Sequence, residues 1–256
     1  AISFETLSTL TGQSYDALDR LSNTLPIVNP EPFDEETWVD AALSTNHGIN
    51  SASAQLTAAR RDIRAKQSGH LPTVDATITQ AQNVTGGQNF FGTDTTEQTI
   101  YGLQLTVPLY TGGLTRSRVR QANANAARAQ ELLLSQQLNV TRDTRNLYKS
   151  VTTDVIRVRA RLKAIRSAQS ALEATQTGYE VGTRNIVDVL QAQQRLYSSQ
   201  FDYADSRYNY VLNLMRLKQV VGTLNEQDLD ELNSFMDPDS QVKRVVSLRS
   251  LADQLN

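Results

Sequence analysis

The sequence contains no cysteine in its 256 residues, which removes thiol catalysis, cysteine-ligated zinc and disulfides. That absence fits an exported bacterial protein and many cytosolic ones equally well. The two histidines, His47 and His70, have no carboxylate pair at ligand spacing beside them, so a catalytic metal is not expected and both read as structural. A formal net charge of −2 gives no broad attraction for nucleic acid. The basic stretches Arg60, Arg61, Arg64, Lys66 and Arg157, Arg159, Arg161, Lys163 read as solvated helix faces, because acids are spread through the chain. No nucleophile–base pair or phosphate-cradling loop is present, so neither an enzyme nor a cofactor is expected. There is no run of 18 or more apolar residues and hence no transmembrane helix. The strands of a membrane barrel give too weak a hydropathy signal for that test to exclude them. The opening AISFETLSTL has no basic region ahead of an apolar stretch. No signal peptide is read, and the expected origin is a cytosolic protein, a mature processed one or a fragment.

The absence that says most is of glycine and proline: residues 114–177 contain neither. Most of the residues there are strong helix formers. At 1.5 Å per residue such a helix reaches roughly 100 Å, against about 11–12 residues for an ordinary helix. A helix of that length needs partner helices along its course. Val151, Val155, Val158, Leu162 and Ile165 fall at 4,3,4,3 spacing in its middle, and its start (RQANANAARAQ) offers a face of small residues for close packing. Gly178 and Gly182 interrupt it. A further helix is predicted from near Ile186 to about Val221, with Tyr197, Phe201, Ala204, Tyr208, Val211 and Met215 in a stripe and Gly222 as its stop. The tail has an isolated Pro238, and VKRVVSLRSLADQL reads as a short helix or as disorder.

Upstream, a helix end turns at Gly12 and runs into a Pro-punctuated linker, TLPIVNPEP. Asp34 is placed to cap a helix whose stripe is Ile49, Ala52, Leu56, Ala59 and Ile63, stopped by Gly69 and Pro72. At Thr73 the period changes to 2. Val74, Ala76 and Ile78 alternate with Thr73, Asp75, Thr77 and Thr79; Tyr101, Leu103, Leu105, Val107 and Leu109 alternate with Gly102, Gln104, Thr106 and Pro108. Two such runs around a polar, Gly-rich loop predict a β-hairpin with one apolar and one polar face. A soluble sheet lying on a core and the wall of a membrane barrel have the same pattern, and both readings stay open. In the loop, Phe90 and Phe91 read either as an interfacial anchor or as local packing. LSTLTGQSYDALDRL near the start and LKQVVGTLNEQDLDEL near the end share one plan, a weak internal repeat that hints at a fragment or at the second half of a tandem repeat.

Five stretches in this order carry a family resemblance: GHLPT at 69–73, PLYTGG at 108–113, GYEVGTRNIVDVL at 178–190, SRYNYVLN at 206–213 and GTLNEQDL at 222–229. With them the chain resembles the TolC-like outer membrane factors, the trimeric channels of Gram-negative efflux pumps and type I secretion systems. The resemblance implies an α+β fold: long antiparallel coiled coils continuous with a transmembrane β-hairpin that contributes to a trimeric β-barrel. It places residues 1–32 as the end of a preceding repeat and its linker, 33–69 as a periplasmic helix and 70–113 as the barrel hairpin. Residues 114–182 become the long tunnel helix, 183–222 the returning helix and 223–256 a C-terminal equatorial segment. The implied function is an outer-membrane channel-tunnel with a periplasmic extension, opened by an inner-membrane transporter and a periplasmic adaptor. The expected partners are two further copies in a homotrimer, that adaptor and transporter, and outer-membrane lipid. Family protomers give four strands to the barrel and this chain offers two; three copies would give about six, below the roughly eight of a filled small barrel, so the intact function needs the missing half. The alternative is a soluble periplasmic coiled-coil scaffold without a pore.

The resemblance also assigns roles at the turn after the long helix. Asp188 is expected to form a ring of three carboxylates at the pore constriction, attracting cations. Locally, Asn185 reads as an N-cap with Asp188 at N3, and both roles can coexist. A second acidic position of the family, one turn later, is Gln191 here, so cation block is expected to be weaker than with two rings. Tyr179 and Arg184 are expected to act as a gate latch, with Gly178 and Gly182 as its hinge; Tyr179 as a packed helix end and Arg184 as a solvated side chain are the bland alternatives.

Overall fold

The computed structural model describes residues 2–22, 24–85 and 94–243; Phe90, Phe91 and the chain beyond Lys243 lie outside them. In chain order the elements are α1 (Ile2–Thr11), β1 (Ala17–Leu21), α2 (Glu35–Thr45), α3 (His47–Gln67), β2 (Thr73–Thr85), β3 (Asp94–Thr106), α4 (Leu114–Glu180), α5 (Ile186–Val221), α6 (Glu226–Ser234) and β4 (Met236–Lys243). Among the described residues the fold is mostly helical with two two-stranded antiparallel sheets. Two compact units arise, one of residues 1–46 and 139–256, the other of residues 47–138. Among the described residues no helix is long and apolar enough to cross a membrane.

In the first unit α2 starts where its cap predicts. The Asp34 carboxylate accepts from the Thr37 hydroxyl (2.6 Å) and the Thr37 amide (3.0 Å), and these bonds, the hydroxyl's foremost, hold its carboxyl below the usual carboxylate range. One helix from Asp34 to Gly69 is not what forms. The chain leaves the helix at Asn46 (φ −58°, ψ 122°) and begins again at His47. Helix α5 causes the break. Its last carbonyls lack partners within the helix, and the Asn46 side chain donates from Nδ2 to Val220 O (2.6 Å) while the Thr45 hydroxyl lies 2.5 Å from Val221 O.

Val151, Val155, Leu217 and Val221 are essentially fully buried, together with Thr144. Each such aliphatic side chain contributes about 1.5–3 kcal/mol. Asp154 lies within the valine stripe and is 2% exposed. Its carboxylate accepts from Arg157 Nη1 (2.6 Å) and Asn213 Nδ2 (2.8 Å), so the buried charge is compensated and α4 is tied to α5. On α5 the buried positions are Val189, Ala192, Leu196, Ser206, Arg207, Tyr210, Val211, Leu217 and Val221. The aromatic stripe read from sequence largely lies elsewhere: Tyr197, Phe201 and Tyr208 are 60%, 72% and 45% exposed. The helix has two apolar stripes, and this chain covers the other one.

Strand β1 pairs antiparallel with β4, Ala17 opposite Lys243 and Leu21 opposite Met236. The register shifts between Asp19 and Arg20, because Asp19 faces Gln241 and Arg20 faces Asp237. Pro238, which has no amide to donate, falls in that bulge. Next to β1, the Arg207 guanidinium donates to Ser22 O, and the Tyr210 hydroxyl donates to Val28 O (2.9 Å), fastening the linker to α5. Burial pushes the Tyr210 phenol above its usual range. The two repeat-like stretches fold differently after their glycines. Asn225 and Asp228 form a capping box that starts α6, whereas Ser14 is followed three residues on by Ala17 and the chain becomes β1.

In the second unit Ile49 and Leu56 of α3 and Ala122 and Ala126 of α4 are buried. A Cβ on Gly69 would lie 3.2 Å from Thr115 Cγ2, so the end of α3 and the start of α4 meet at the foot of the hairpin. Thr73 pairs with Thr106 and the ladder continues to Thr85 opposite Asp94. Val74, Ala76 and Ile78 share one face with Leu105, Leu103 and Tyr101; Thr73, Asp75 and Thr77 share the other with Thr106, Gln104 and Gly102. All of these side chains are exposed, so neither face is covered by another element among the described residues.

Candidate functional site: the turn between the two long helices

Helix α4 does not stop at Gly178 but runs through it to Glu180. The Gly178 carbonyl is the centre of the turn. It accepts from the amides of Thr183 (2.8 Å) and Arg184 (3.0 Å) and from the Thr183 hydroxyl (2.9 Å). A Cβ on Gly178 would meet Arg184 Cγ at 2.8 Å, so this glycine makes room for the returning chain. Gly182 supplies the reversal with φ +77° and has open space around it.

The next residues start α5. Asn185 Oδ1 accepts from the Asp188 amide (2.9 Å), and the Asp188 carboxylate accepts from the Asn185 amide (3.3 Å), a reciprocal capping box. A carboxylate in the first helical turn also faces the positive end of the helix dipole. Beyond the box, Val189, Ala192 and Leu196 pack with Leu172, with Ile165 and Ala168 against them, holding the end of α4 to the start of α5.

The structure brings three of the sequence-derived residues into one place. Arg184, Asp188, Gln191, Ala192 and Arg195 line an open cavity of ≈ 240 Å³ together with Ala168, Ala171 and Thr175 of α4. Asp188 and Arg184 do not form an ion pair. The Tyr179 side chain is 47% exposed and, like that of Arg184, makes no hydrogen bond or ion pair among the described residues. The arrangement presents two cations, one carboxylate and an amide to solvent. No group of three or more His, Cys, Asp or Glu able to hold a metal occurs among the described residues.

Reading the sequence missed the Asn46 break, the β1–β4 sheet and the Asp154–Asn213 bridge. Two of these had a signal. Asn46 and Gly48 bracket His47 as a turn pair does, and Asp154 is a charge inside the stripe Val151, Val155, Val158.

Residues 38–223 match the family described as outer membrane efflux protein. The chain is 35% identical over 241 residues to the outer membrane protein TolC of Escherichia coli, covering 91% of this chain and 49% of that protein. It is 27% identical over 213 residues to the protease secretion protein PrtF of Dickeya chrysanthemi, covering 83% and 46%. It thus spans about half the length of the curated relatives it matches. Among solved structures, the open state of the Neisseria gonorrhoeae MtrE outer membrane channel superposes with a TM-score of 0.68 at 19% identity, covering 88% of this chain and 52% of that one. The Campylobacter jejuni CmeC outer membrane channel gives 0.63 at 18%, covering 92% and 52%. These two show a shared fold, and the sequence match shows the lineage: the chain belongs to the outer membrane efflux protein family.

Proposed function

We propose that this chain is part of a protomer of an outer-membrane channel-tunnel of a Gram-negative bacterium, through which small molecules and type I secretion substrates leave the cell. It works as a passive duct, without chemistry of its own, in a homotrimer. A periplasmic adaptor and an inner-membrane transporter open it. One observation carries this reading. The β2–β3 hairpin exposes Val74, Ala76, Ile78, Tyr101, Leu103 and Leu105 on one face and threonines, Asp75 and Gln104 on the other, with no element over either. A bilayer outside and water inside satisfy both faces. In lipid the outer edges of β2 and β3 also need strand partners, because unpaired backbone groups there cost several kcal/mol each. Strands of the remaining half of a longer protomer, repeated threefold, close the wall.

In this assembly residues 33–69, 114–182 and 183–222 are tunnel helices, 70–113 is the barrel segment, and 1–32 with 223–256 form the equatorial part. Asp188 lines the constriction as one of three carboxylates while also capping α5. Tyr179 and Arg184 latch the entrance to neighbouring coils, which agrees with their lack of partners among the described residues. The exposed Tyr197 and Phe201 stripe is the surface those coils cover.

The test is extraction of the full-length protein from cells. It should stay with the outer membrane through alkaline carbonate, need detergent for solubility and run as a trimer in mild detergent. A protein that is monomeric and soluble without detergent would overturn the proposal in favour of the periplasmic scaffold.

A further inference from the structure

The charges of the second unit are unevenly placed. Residues 47–59 of α3 and 121–127 of α4 contain no Lys, Arg, Asp or Glu at all. Between those neutral stretches and the hairpin stand Arg60, Arg61, Arg64, Lys66, Arg116, Arg118 and Arg120, against a single acid, Asp62. Asp62 pairs with Lys66 at 3.4 Å. The six arginines are exposed and pair with no carboxylate among the described residues. Since Gly69 abuts Thr115, both groups lie at one level, all within about 14 Å of helix from the foot of the hairpin. A solvated coil face would show the same side chains interleaved with acids along the helices. Here seven cations gather in one band and the coil beyond is neutral.

The same band carries exposed apolar side chains. Leu71, Leu109 and Tyr110 are 61%, 93% and 89% exposed, between the strand ends and the helix ends. Bare leucines and a tyrosine beside unpaired guanidinium groups match the layer where hydrocarbon gives way to headgroups, about 5–8 Å thick on each side of a bilayer. Long cationic side chains reach into that layer from below, with their stems along apolar surface. Anionic headgroups attract such residues individually, within a Debye length of about 8 Å.

We propose that Arg60, Arg61, Arg64, Lys66, Arg116, Arg118 and Arg120 form a cationic collar that binds anionic phospholipid headgroups in the leaflet on the helical side of the hairpin. The proposal rests on the membrane reading of β2 and β3. The collar fixes the depth of the hairpin and holds a ring of anionic lipid at the junction of sheet and helices.

The test uses the full-length protein in detergent, incubated with equimolar palmitoyl-oleoyl phosphatidylglycerol and phosphatidylethanolamine and read by native mass spectrometry. The wild type should retain phosphatidylglycerol at least fivefold over phosphatidylethanolamine, and the preference should collapse as NaCl rises from 50 to 500 mM. Arg64→Gln, Arg116→Gln, Arg118→Gln and Arg120→Gln combined should bring the ratio close to one. Lysine at the same four positions should preserve it. Fourfold Gln replacement leaves no ion pair broken, so a retained trimer band and helical circular dichroism are expected and confirm that the variant is folded. No preference in the wild type, or an unchanged preference in the Gln variant, overturns the collar and leaves the channel reading intact. Displacement of the lipid by inorganic phosphate but not by chloride at equal ionic strength also overturns it, as a free-anion site. A protein that retains neither lipid and is soluble without detergent removes the membrane reading, and the collar with it.

Discussion

Gly182 and Gly222 have nearly the same backbone, φ +77° and +85°, in different surroundings. Nothing lies within 4 Å of a Cβ on Gly182, whereas one on Gly222 would sit 2.8 Å from Thr45 O and 3.1 Å from Thr45 C. Those are backbone atoms at the end of α2 and cannot swing aside. Gly182→Ala should therefore cost about 1 kcal/mol, the left-handed penalty alone. Gly222→Ala should cost at least about 2 kcal/mol and loosen α2 from α5; urea midpoints of the two variants, compared at equal slope, check the difference. A similar separation is available at Asp188. An asparagine there keeps an oxygen to accept from the Asn185 amide, so Asp188→Asn should leave stability within about 0.5 kcal/mol while removing the charge. In the full-length channel it should relieve block of single-channel current by multivalent cations. Unchanged block would count against a carboxylate ring and leave Asp188 as a cap only.

Among elements, α6 is held to α5 by the Lys218–Asp228 pair at 2.5 Å, with side chains 27% and 13% exposed. Partial burial alone would raise the Asp228 carboxyl; the hydrogen bond from Lys218, the Asn225 amide and the lysine's charge outweigh it and leave it below the usual range. A carboxyl lowered by folding adds stability above its unfolded value near 4, and that stability is lost as pH falls through the lower folded value. Asp228→Asn should thus cost about 1–2 kcal/mol at pH 7, and the difference from wild type should shrink as pH falls from near 4 through the lower folded value in urea titrations at several pH values. Which elements were legible follows from where their causes lie. The start of α5 could be read because Asn185 and Asp188 are three residues apart and cap each other. The break at Asn46 could not, because the carbonyl that captures its side chain belongs to Val220. Strands β1 and β4 were hidden for a related reason: ALDRL and MDPDSQVK lack clean alternation, one carries a proline, and each is a strand only through the other. On α5 the spacing alone left the packing partner open, since a 3,4 period does not say which of two apolar stripes meets this chain's own helices.

For the whole molecule, the uncovered surfaces are the informative ones. Among the described residues the hairpin leaves both faces bare, α5 leaves Tyr197 and Phe201 bare, and the turn leaves Tyr179 and Arg184 without partners. Under the proposed function these surfaces meet lipid and water, neighbouring coils, and a latch acceptor. If the last is right, the turn should move as a unit when the latch is cut. The Gly178 carbonyl, the Asn185–Asp188 box and the Leu172–Leu196 cluster hold it together internally, and none of them uses the Tyr179 hydroxyl or the Arg184 guanidinium. Tyr179→Phe with Arg184→Gln should then leave the fold, the trimer and the unfolding midpoint unchanged, because neither side chain makes a hydrogen bond or ion pair among the described residues. Single-channel conductance of the full-length protein in planar bilayers should rise several-fold if the proposed latch constricts the entrance through links between coils. A double variant that conducts like the closed wild type would show that both side chains are merely solvated, and the constriction would then have to be sought in the packing of α4 against α5.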